Sequence, residues 1–525
     1  MDQLPLLIAL LAALAGASLL APRIRVPQPV LLALTGAAVS FAPGVPREPL
    51  DPALILAFFL PPLLYADAFQ TSWSDFRRWL RPILMLAIGL VGLTVLTVGL
   101  AARWLLPDLP WAACFLLGAI VSPTDTVAVQ AVLSRLRVPR RVTAILGGES
   151  LVNDATGLVG VQLCIAVLLH GAFEWSNVAF DFGYVAGGGV AVGLAVGALF
   201  AAANRWVKER SVLLVLSLLA PYIAMHTSFA LGLSGVLAVV VAGFVVAWRI
   251  HMVPPNARVE LYGTWEMLVF VLNGLCFLYV GLEAPRILFD SRMFEVRELI
   301  VAGLAISAVV VLTRIVWIIP AAYVPLWFSR TLREREGGYP PPKGVALASW
   351  CGVRGAVSLA AALAVPTILP SGDEFPGRTA IVACTLVVIF VTLICQGMTL
   401  SPLVRMLGLR EDADGEREVR AAREQLLRAG IARLDDFCSA TSCPIAVHHF
   451  RASMADELSS LRELDEQERT FARTRLAVSD TVHREVLVAQ SRELLSLRDR
   501  GTINDQTYVS LLLELDRRQV VAHHH

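Results

Sequence analysis

The stretch Val121-Ser122-Pro123-Thr124-Asp125-Thr126-Val127 places a proline, hydroxyl groups and a carboxylate in the middle of an otherwise apolar run. Proline removes a backbone hydrogen bond and clashes with the preceding helical turn, so this stretch predicts an interrupted helix. Non-helical backbone at membrane depth is tolerated only where protein or a water-filled cavity surrounds it, and its exposed carbonyl groups can coordinate a cation. A simple proline kink capped by Ser122 and Thr124 is the alternative that this stretch alone leaves open.

A second interruption is predicted at Gly352-Val353-Arg354-Gly355, where glycines flank an arginine. Two interrupted apolar segments in corresponding places of two halves of a chain indicate a transporter binding site near the middle of the membrane. The first segment carries an acid, Asp125, and the second carries a base, Arg354. We therefore expect these two side chains to compensate the partial charges of opposed helix ends.

The composition of the whole chain is that of a membrane protein. Of its 525 residues, 56% are hydrophobic and 17% are charged, and the mean hydropathy is +0.66. Soluble proteins contain about 25% charged residues. The net charge of +1 and the dispersed basic residues give no reason to expect a nucleic-acid partner. The cysteines lack metal-ligand spacing, and we expect no cofactor.

Apolar stretches of about 17 to 25 residues predict thirteen membrane-spanning helices. They lie near residues 4–21, 27–43, 51–68, 82–104, 111–134, 139–170, 180–204, 211–227, 233–249, 260–283, 297–327, 343–366 and 379–404. The short loops on one side carry 18 arginine and lysine residues, and those on the other side carry 6. Because basic loops stay in the cytoplasm, we expect a bacterial inner-membrane protein with a periplasmic amino terminus and a cytoplasmic carboxyl terminus.

The composition changes from about Arg405 onward, where charged residues alternate with Leu and Val at helical spacing. This change predicts a transmembrane domain over residues 1–404 and a cytosolic helical domain over residues 405–522. The charge pattern of the tail indicates no ligand, which favours a packing or dimer-supporting module over a regulatory sensor. The histidines at 523–525 are typical of a purification tag.

An ionisable residue deep in a membrane span costs roughly 2.5–3.5 kcal/mol on insertion scales, which makes it a candidate for function. Asp154 ends the segment Gly148-Glu149-Ser150-Leu151-Val152-Asn153-Asp154, and Ser150 precedes it by one helical turn on the same face. No local residue of opposite charge is an obvious partner for Asp154. A carboxylate in this position can hold a proton or a sodium ion but not both, and this competition is the simplest basis for exchange.

Glu149 lies on a different face of the same predicted helix. The distant spans that offer a cation are those with Arg314 and Arg354. We expect Glu149 to pair with Arg314 in a structural role, because breaking a buried ion pair costs about 3–5 kcal/mol.

These motifs resemble the sodium/proton exchangers of the NhaP and NHE type over about residues 1–410, as does Gln396-Gly397-Met398-Thr399-Leu400. The resemblance implies an all-α fold with thirteen transmembrane helices in two six-helix inverted repeats, two of them broken and crossing. It also implies a homodimer in which a core domain moves like an elevator against a dimerisation domain. The core would contain the helices near 82–170 and 297–404, and the dimerisation domain those near 1–68 and 180–283.

By the same resemblance, Asp154 is the carboxylate that binds the ion and carries the proton, with Asn153, Ser150, Asp125 and Thr124 around it. Asp154, Ser150, Asp125 and Thr124 would then hold sodium, with potassium and lithium as further candidates. Asn153 in place of a second acid resembles the electroneutral members, which implies one cation per proton. The implied role is pH and sodium homeostasis.

Asp67 departs from the family pattern. Relatives often place an acid one position earlier, where this chain has Ala66. Asp67 is therefore a displaced ligand, a gate residue or an interfacial acid that faces water, and the sequence leaves these roles open.

Two other functions fit single features of the sequence. Gly232-Leu233-Ser234-Gly235 matches the pattern around the serine of rhomboid-type intramembrane proteases, but the later spans contain no histidine that could act as its base. A passive cation channel favours rings of carbonyls or acids along a symmetric pore, whereas the charged residues here are single and of both signs. We therefore expect a transporter and no enzyme, with protons, a monovalent cation and lipid as its partners.

Overall fold

The computed structural model describes residues 3–24, 26–42, 52–125, 129–130, 133, 136, 138–170, 175–207, 209–289, 295–366, 368–369, 375–409, 413–440 and 445–462, with 490, 492–494, 496, 500 and 511. Much of the second half of the predicted 111–134 span, most of the tail after residue 462 and the terminal histidines lie outside these residues. The chain divides into two compact units, Met1–Glu411 and Asp412–His525.

The first unit is built from helices in an order that follows the predicted apolar stretches. They are α1 (Gln3–Ile24), α2 (Gln28–Val39), α3 (Pro52–Gln70), α4 (Trp73–Arg78), α5 (Leu80–Leu105), α6 (Trp111–Val121), α7 (Arg140–His170), α8 (Trp175–Trp206), α9 (Arg210–Ala230), α10 (Gly235–Trp248), α11 (Pro255–Phe289), α12 (Val296–Phe328), α13 (Arg330–Arg335), α14 (Pro342–Trp350), α15 (Ala356–Leu363) and α16 (Arg378–Leu407). Single π-helical turns at Met85–Leu90 and Thr392–Gln396 interrupt α5 and α16, and Ile250–Met252 forms a 3-10 turn.

Seven helices within the described ranges are long and apolar enough to cross a membrane, namely α5, α7, α8, α9, α11, α12 and α16. The apolar helices α1, α2, α6 and α10 are shorter. Each of the thirteen stretches predicted from the sequence contains helix. The short helices α4 and α13 were not predicted, because they are polar; the hydroxyls of Ser72 and Ser329 cap their amino termini.

The helices of the first unit pack mainly within two groups. In the first group, α5, α6, α7, α12 and α16 surround an apolar core that includes Leu116, Ile306 and Ile381. In the second group, α3 and α8 to α11 surround a separate core that includes Val239 and Trp265. The α1 and α2 helices pack against α11. The α11 helix also contributes Tyr279 and Val280 to the first core.

Both predicted interruptions are present. The α6 helix ends at Val121, two residues before Pro123, and the Ser122 hydroxyl donates to the carbonyl oxygen of Ala119 at 2.9 Å. Residues 351–355 are non-helical and separate α14 from α15. The backbone N–H of Asp125 donates to the carbonyl oxygen of Val353 at 2.8 Å. This hydrogen bond joins the two interruptions, which lie far apart in the sequence.

The second unit is described over two helices, α17 (Ala413–Ala440) and α18 (Ile445–Arg462), which pack against each other. The Arg451 guanidinium binds the Asp435 carboxylate at 2.5 Å between them. Both partners are exposed, so this ion pair contributes little to stability.

Candidate ion-binding site

A cavity lies where the two groups of helices meet. Three carboxylates line it, from Asp67 on α3, Asp125 in the first interruption and Asp154 on α7. The other polar lining residues are Thr124, Ser150, Asn273 and Ser358. The cavity therefore presents oxygen atoms from both groups of helices, and hard cations such as sodium are bound by oxygen.

Asp154 is the most isolated of the buried charges. Only 6% of its surface is exposed. Within the described part of the chain, its carboxylate has no salt bridge or hydrogen bond to another residue. Ser150, one turn earlier on α7, lines the same cavity and donates its hydroxyl hydrogen to the carbonyl oxygen of Thr124 at 3.0 Å. The lone pairs of the Ser150 oxygen are thus available to a cation beside Asp154.

Glu149 and Arg314 form a buried bidentate ion pair. The Arg314 Nη1 and Nη2 atoms donate to the two Glu149 carboxylate oxygens at 2.5 and 2.9 Å, and Arg314 Nε donates to the carbonyl oxygen of Ala348 at 3.1 Å. Both side chains are 1% exposed. Because the opposite charges face each other at this distance, Glu149 needs no cation from the cavity.

The ion pair is connected to the first interruption through Thr124. The Thr124 hydroxyl donates to Glu149 Oε1 at 3.2 Å and accepts a hydrogen bond from Asn153 Nδ2 at 2.7 Å. Asn153 therefore contacts the site through Thr124 and lies behind the cavity lining. The Glu149 and Asn153 side chains of α7 thus hold Thr124, which is non-helical and lines the cavity.

Arg354 neutralises the carboxyl end of α6. Its Nε atom donates to the carbonyl oxygen of Val121, the last residue of α6, at 2.8 Å. Its Nη1 atom donates to the carbonyl oxygen of Gly352, and its backbone N–H donates to the Thr392 hydroxyl at 3.1 Å. A cation at a helix carboxyl terminus opposes the partial negative charge of the free carbonyl groups.

Asp125 lies at the amino end of α15. Its carboxylate is against Gly355, the residue that precedes α15, and a Cβ atom on Gly355 would overlap it. On the other side of Arg354, a Cβ atom on Gly352 would approach the Arg314 side chain at 2.6 Å. The glycines of the second interruption thus provide the space in which Asp125 and Arg314 lie. An acid at a helix amino terminus is electrostatically favourable.

Two polar residues of the cavity, Asn273 and Ser358, were not predicted. Neither residue belongs to the motifs that carry the family resemblance, and neither side chain is ionisable at neutral pH. The signal that could have found Asn273 is its position in the middle of the apolar run of α11. Ser358 stands in a run of small apolar residues, and its sequence gives no comparable signal.

Ser234, the serine of the protease-like pattern, is the amino-terminal cap of α10. Its hydroxyl oxygen accepts a hydrogen bond from the backbone N–H of Leu237 at 3.4 Å. Gly189 of α8 packs directly against the Ser234 backbone, where an added Cβ atom would meet the carbonyl oxygen at 2.5 Å. These contacts give Ser234 a role in capping and close helix packing.

Comparison with known proteins agrees with this architecture. Residues 6–406 match the family described as sodium/hydrogen exchanger, transmembrane. An Na+/H+ exchanger of Mycobacterium tuberculosis (strain ATCC 25618 / H37Rv) is 33% identical over 535 residues, covering 98% of this chain and 96% of that protein. A sodium, potassium, lithium and rubidium/H+ antiporter of Bacillus pumilus is 32% identical, covering 78% of this chain and 62% of that protein.

The fold is similar to that of a solved structure. The sodium proton antiporter MjNhaP1 from Methanocaldococcus jannaschii superposes with a TM-score of 0.61 at 21% identity, covering 78% of this chain and 99% of that one. The protein is thus an integral membrane protein with an NhaP-type fold. The match of the family model over three quarters of the sequence shows that the chain belongs to the sodium/hydrogen exchanger family.

Proposed function

We propose that this protein exchanges sodium for protons across a bacterial inner membrane and that Asp154 carries either ion. The observation that carries this proposal is the environment of Asp154, which is buried in the cavity without an ion-pair partner among the described residues. The charge of Glu149 is matched by Arg314, and Arg354 is held against the end of α6. A proton or a cation can therefore be exchanged at Asp154 without disturbing the ion pair.

The cation is held by oxygen atoms from the first interruption, α7 and α3. Asp154 and Ser150 face it from one helical turn, and Thr124 and Asp125 face it from the first interruption. Asn153 holds Thr124 in place. Asp67 contributes a further carboxylate from α3. In this proposal Asp67 is a ligand of the cation, and the proton is carried by Asp154 alone.

Exchange is electroneutral in this proposal. One carboxylate that holds either one proton or one monovalent cation moves the same charge in both directions. The neutral amide of Asn153 next to Asp154 supports this stoichiometry, because it adds no second titratable group. The biological role that follows is pH and sodium homeostasis.

The movement that exposes the site to each side is an elevator-like displacement of the first group of helices against the second, in a homodimer. The packing of the helices mainly within two groups, and a cavity where the groups meet, support this arrangement. We further propose that the protein has thirteen spans in inverted repeats, with a periplasmic amino terminus and a cytoplasmic tail.

The purified protein in liposomes with an internal pH-sensitive dye tests the function. We expect an imposed outward proton gradient to dissipate when sodium is added outside, at the same rate whatever membrane voltage is set with valinomycin and potassium. In separate experiments without valinomycin, lithium, potassium and rubidium are added in turn, because a relative is named for these ions. A voltage-dependent rate would contradict electroneutral exchange, and cation uptake without proton movement would indicate a channel.

A further inference from the structure

The hydroxyl hydrogens of Ser150 and Thr124 are already used within the protein. Ser150 donates to the carbonyl oxygen of Thr124 at 3.0 Å, and Thr124 donates to Glu149 at 3.2 Å. A hydroxyl has one hydrogen to donate, so both groups can offer only lone pairs to the cavity. These residues therefore suit a cation, which needs acceptor atoms and no donors.

Two other lining residues have hydrogens to donate. The Asn273 side-chain nitrogen and the Ser358 hydroxyl are buried and form no hydrogen bond to any residue in the described parts of the chain. Asn273 is 9% exposed and Ser358 is 1% exposed. A buried donor without a partner is costly and rare, so each requires an acceptor that the cavity supplies.

A carboxylate of the cavity is a suitable acceptor for Asn273, because an ionised carboxylate accepts hydrogen bonds and donates none. Asn273 belongs to α11, which packs against α3, the helix that carries Asp67. Asp67 and Asn273 therefore line the cavity from the second group of helices, whereas Asp154 lines it from the first group. Ser358 lies on α15, which follows Gly355, the residue that contacts the Asp125 carboxylate.

We propose that Asn273 is a positioning residue that donates its side-chain N–H to Asp67 and holds this carboxylate toward Asp154. The inference rests on the proposed exchange function. It adds the means by which Asp67, on the second group of helices, takes part in binding the cation. A cation bound at Asp154 is then also bound by an Asp67 oxygen across the cavity. Asn273 sets the cation affinity of the site in this way and takes no part in carrying the proton.

The expected effect appears in the cation dependence of exchange. Loss of one hydrogen bond to a charged group weakens binding by about tenfold or more, so Asn273→Ala raises the KM for sodium about tenfold while the maximal rate stays within about twofold. Asp67→Asn gives a similar rise, because the amide cannot replace the charge. The double variant is no worse than Asp67→Asn alone, since Asn273 acts through Asp67.

The measurement is sodium-dependent proton flux in liposomes at a series of sodium concentrations. Ser228→Ala serves as a matched control, because Ser228 is fully buried and its hydroxyl also forms no hydrogen bond within the described residues, but it does not line the cavity. Its KM is expected to equal that of the wild type. Each variant is first checked by size-exclusion chromatography in detergent. Asn273→Ser, whose hydroxyl is too short to reach the same acceptor, replaces Asn273→Ala if the latter does not fold, with the same expected rise in KM.

Three results would overturn the inference. They are an unchanged KM in the Asn273 variant, a fall in maximal rate without a change in KM, and multiplication of the two single effects in the double variant. If the wild type shows no sodium-dependent proton flux, the proposed function fails first. If the wild type is active and one of the three results is found, only the role of Asn273 is lost.

Discussion

The buried charges of this protein differ in how they are compensated. Glu149 and Arg314 face each other with two hydrogen bonds, and Arg354 faces the carboxyl end of α6. Asp154 shares its cavity with Asp67 and Asp125 and has no ion-pair partner among the described residues. Carboxylates that share a site cannot all be ionised without a cation or a proton. That imbalance is the physical basis of the exchange that we propose at this site.

The ion pair between Glu149 and Arg314 predicts a specific stability pattern. Glu149→Leu leaves the Arg314 charge buried without a partner, and Arg314→Met does the same to Glu149; each is expected to cost about 3–5 kcal/mol. The double variant removes both charges and is expected to lose less stability than either single variant. Thermal unfolding in detergent measures the three differences.

The surface pair Arg330 and Glu334 is the control for this experiment. Both side chains are largely exposed at an Nε to Oε1 distance of 3.2 Å, so Arg330→Met is expected to change stability by less than about 1 kcal/mol. Single-variant effects at Glu149 and Arg314 that are as small as this control would contradict a structural role for the buried pair.

The charged residues could be predicted from the sequence, whereas the neutral lining residues Asn273 and Ser358 could not. Glu149, Asp154, Arg314 and Arg354 could be selected because a charge within an apolar span is costly wherever it lies. Asn273 carries no charge, so its position within an apolar span does not mark it in the same way. Its importance depends on the helix against which α11 packs. For Asp67 the sequence left several roles open, because only the packing of α3 shows that its side chain lines the cavity.

At the scale of the elements, the two interruptions provide the geometry of the site. The hydrogen bond from the Asp125 N–H to the Val353 carbonyl oxygen joins them. Arg354 lies at the carboxyl end of α6, and Asp125 lies at the amino end of α15. The sequence predicted both interruptions from Pro123 and from the glycines around Arg354, which are local signals. The hydrogen bond between them depends on tertiary packing, and no local pattern encodes it.

The close contact of Gly355 with the Asp125 carboxylate predicts that Gly355→Ala displaces Asp125. Overpacking of this kind costs about 1–3 kcal/mol, and we expect reduced stability together with a higher KM for sodium. Gly92→Ala on α5 is the control, because nothing lies within 4 Å of the added methyl group. Thermal unfolding and liposome flux are measured for both variants. Equal behaviour of the two variants would show that the site tolerates a shift of Asp125.

At the scale of the whole molecule, the residues proposed to bind the cation lie within the first compact unit, Met1–Glu411. The last helix of this unit, α16, ends at Leu407. A chain that ends at Glu411 is therefore expected to insert, to remain monodisperse in detergent and to exchange sodium for protons with a KM close to that of the full chain. Liposome flux compares the two proteins at several pH values.

A truncated protein that is monodisperse but inactive would show that the tail is required for transport. A truncated protein that is active with a shifted pH dependence would show that the tail regulates it. The sequence predicted the helical character of the tail from its spacing of Leu and Val, but a charge pattern without a motif indicates no ligand.

The exchange of one proton for one cation at Asp154 is the central claim. The most direct test is sodium-induced proton flux in liposomes for the wild type, Asp154→Asn and the control Ser228→Ala, all at equal protein density and with verified monodispersity. We expect flux in the wild type and in Ser228→Ala and none in Asp154→Asn, because an amide neither releases a proton nor offers a charge to the cation. Sodium-dependent proton flux in Asp154→Asn at the wild-type rate would contradict the account.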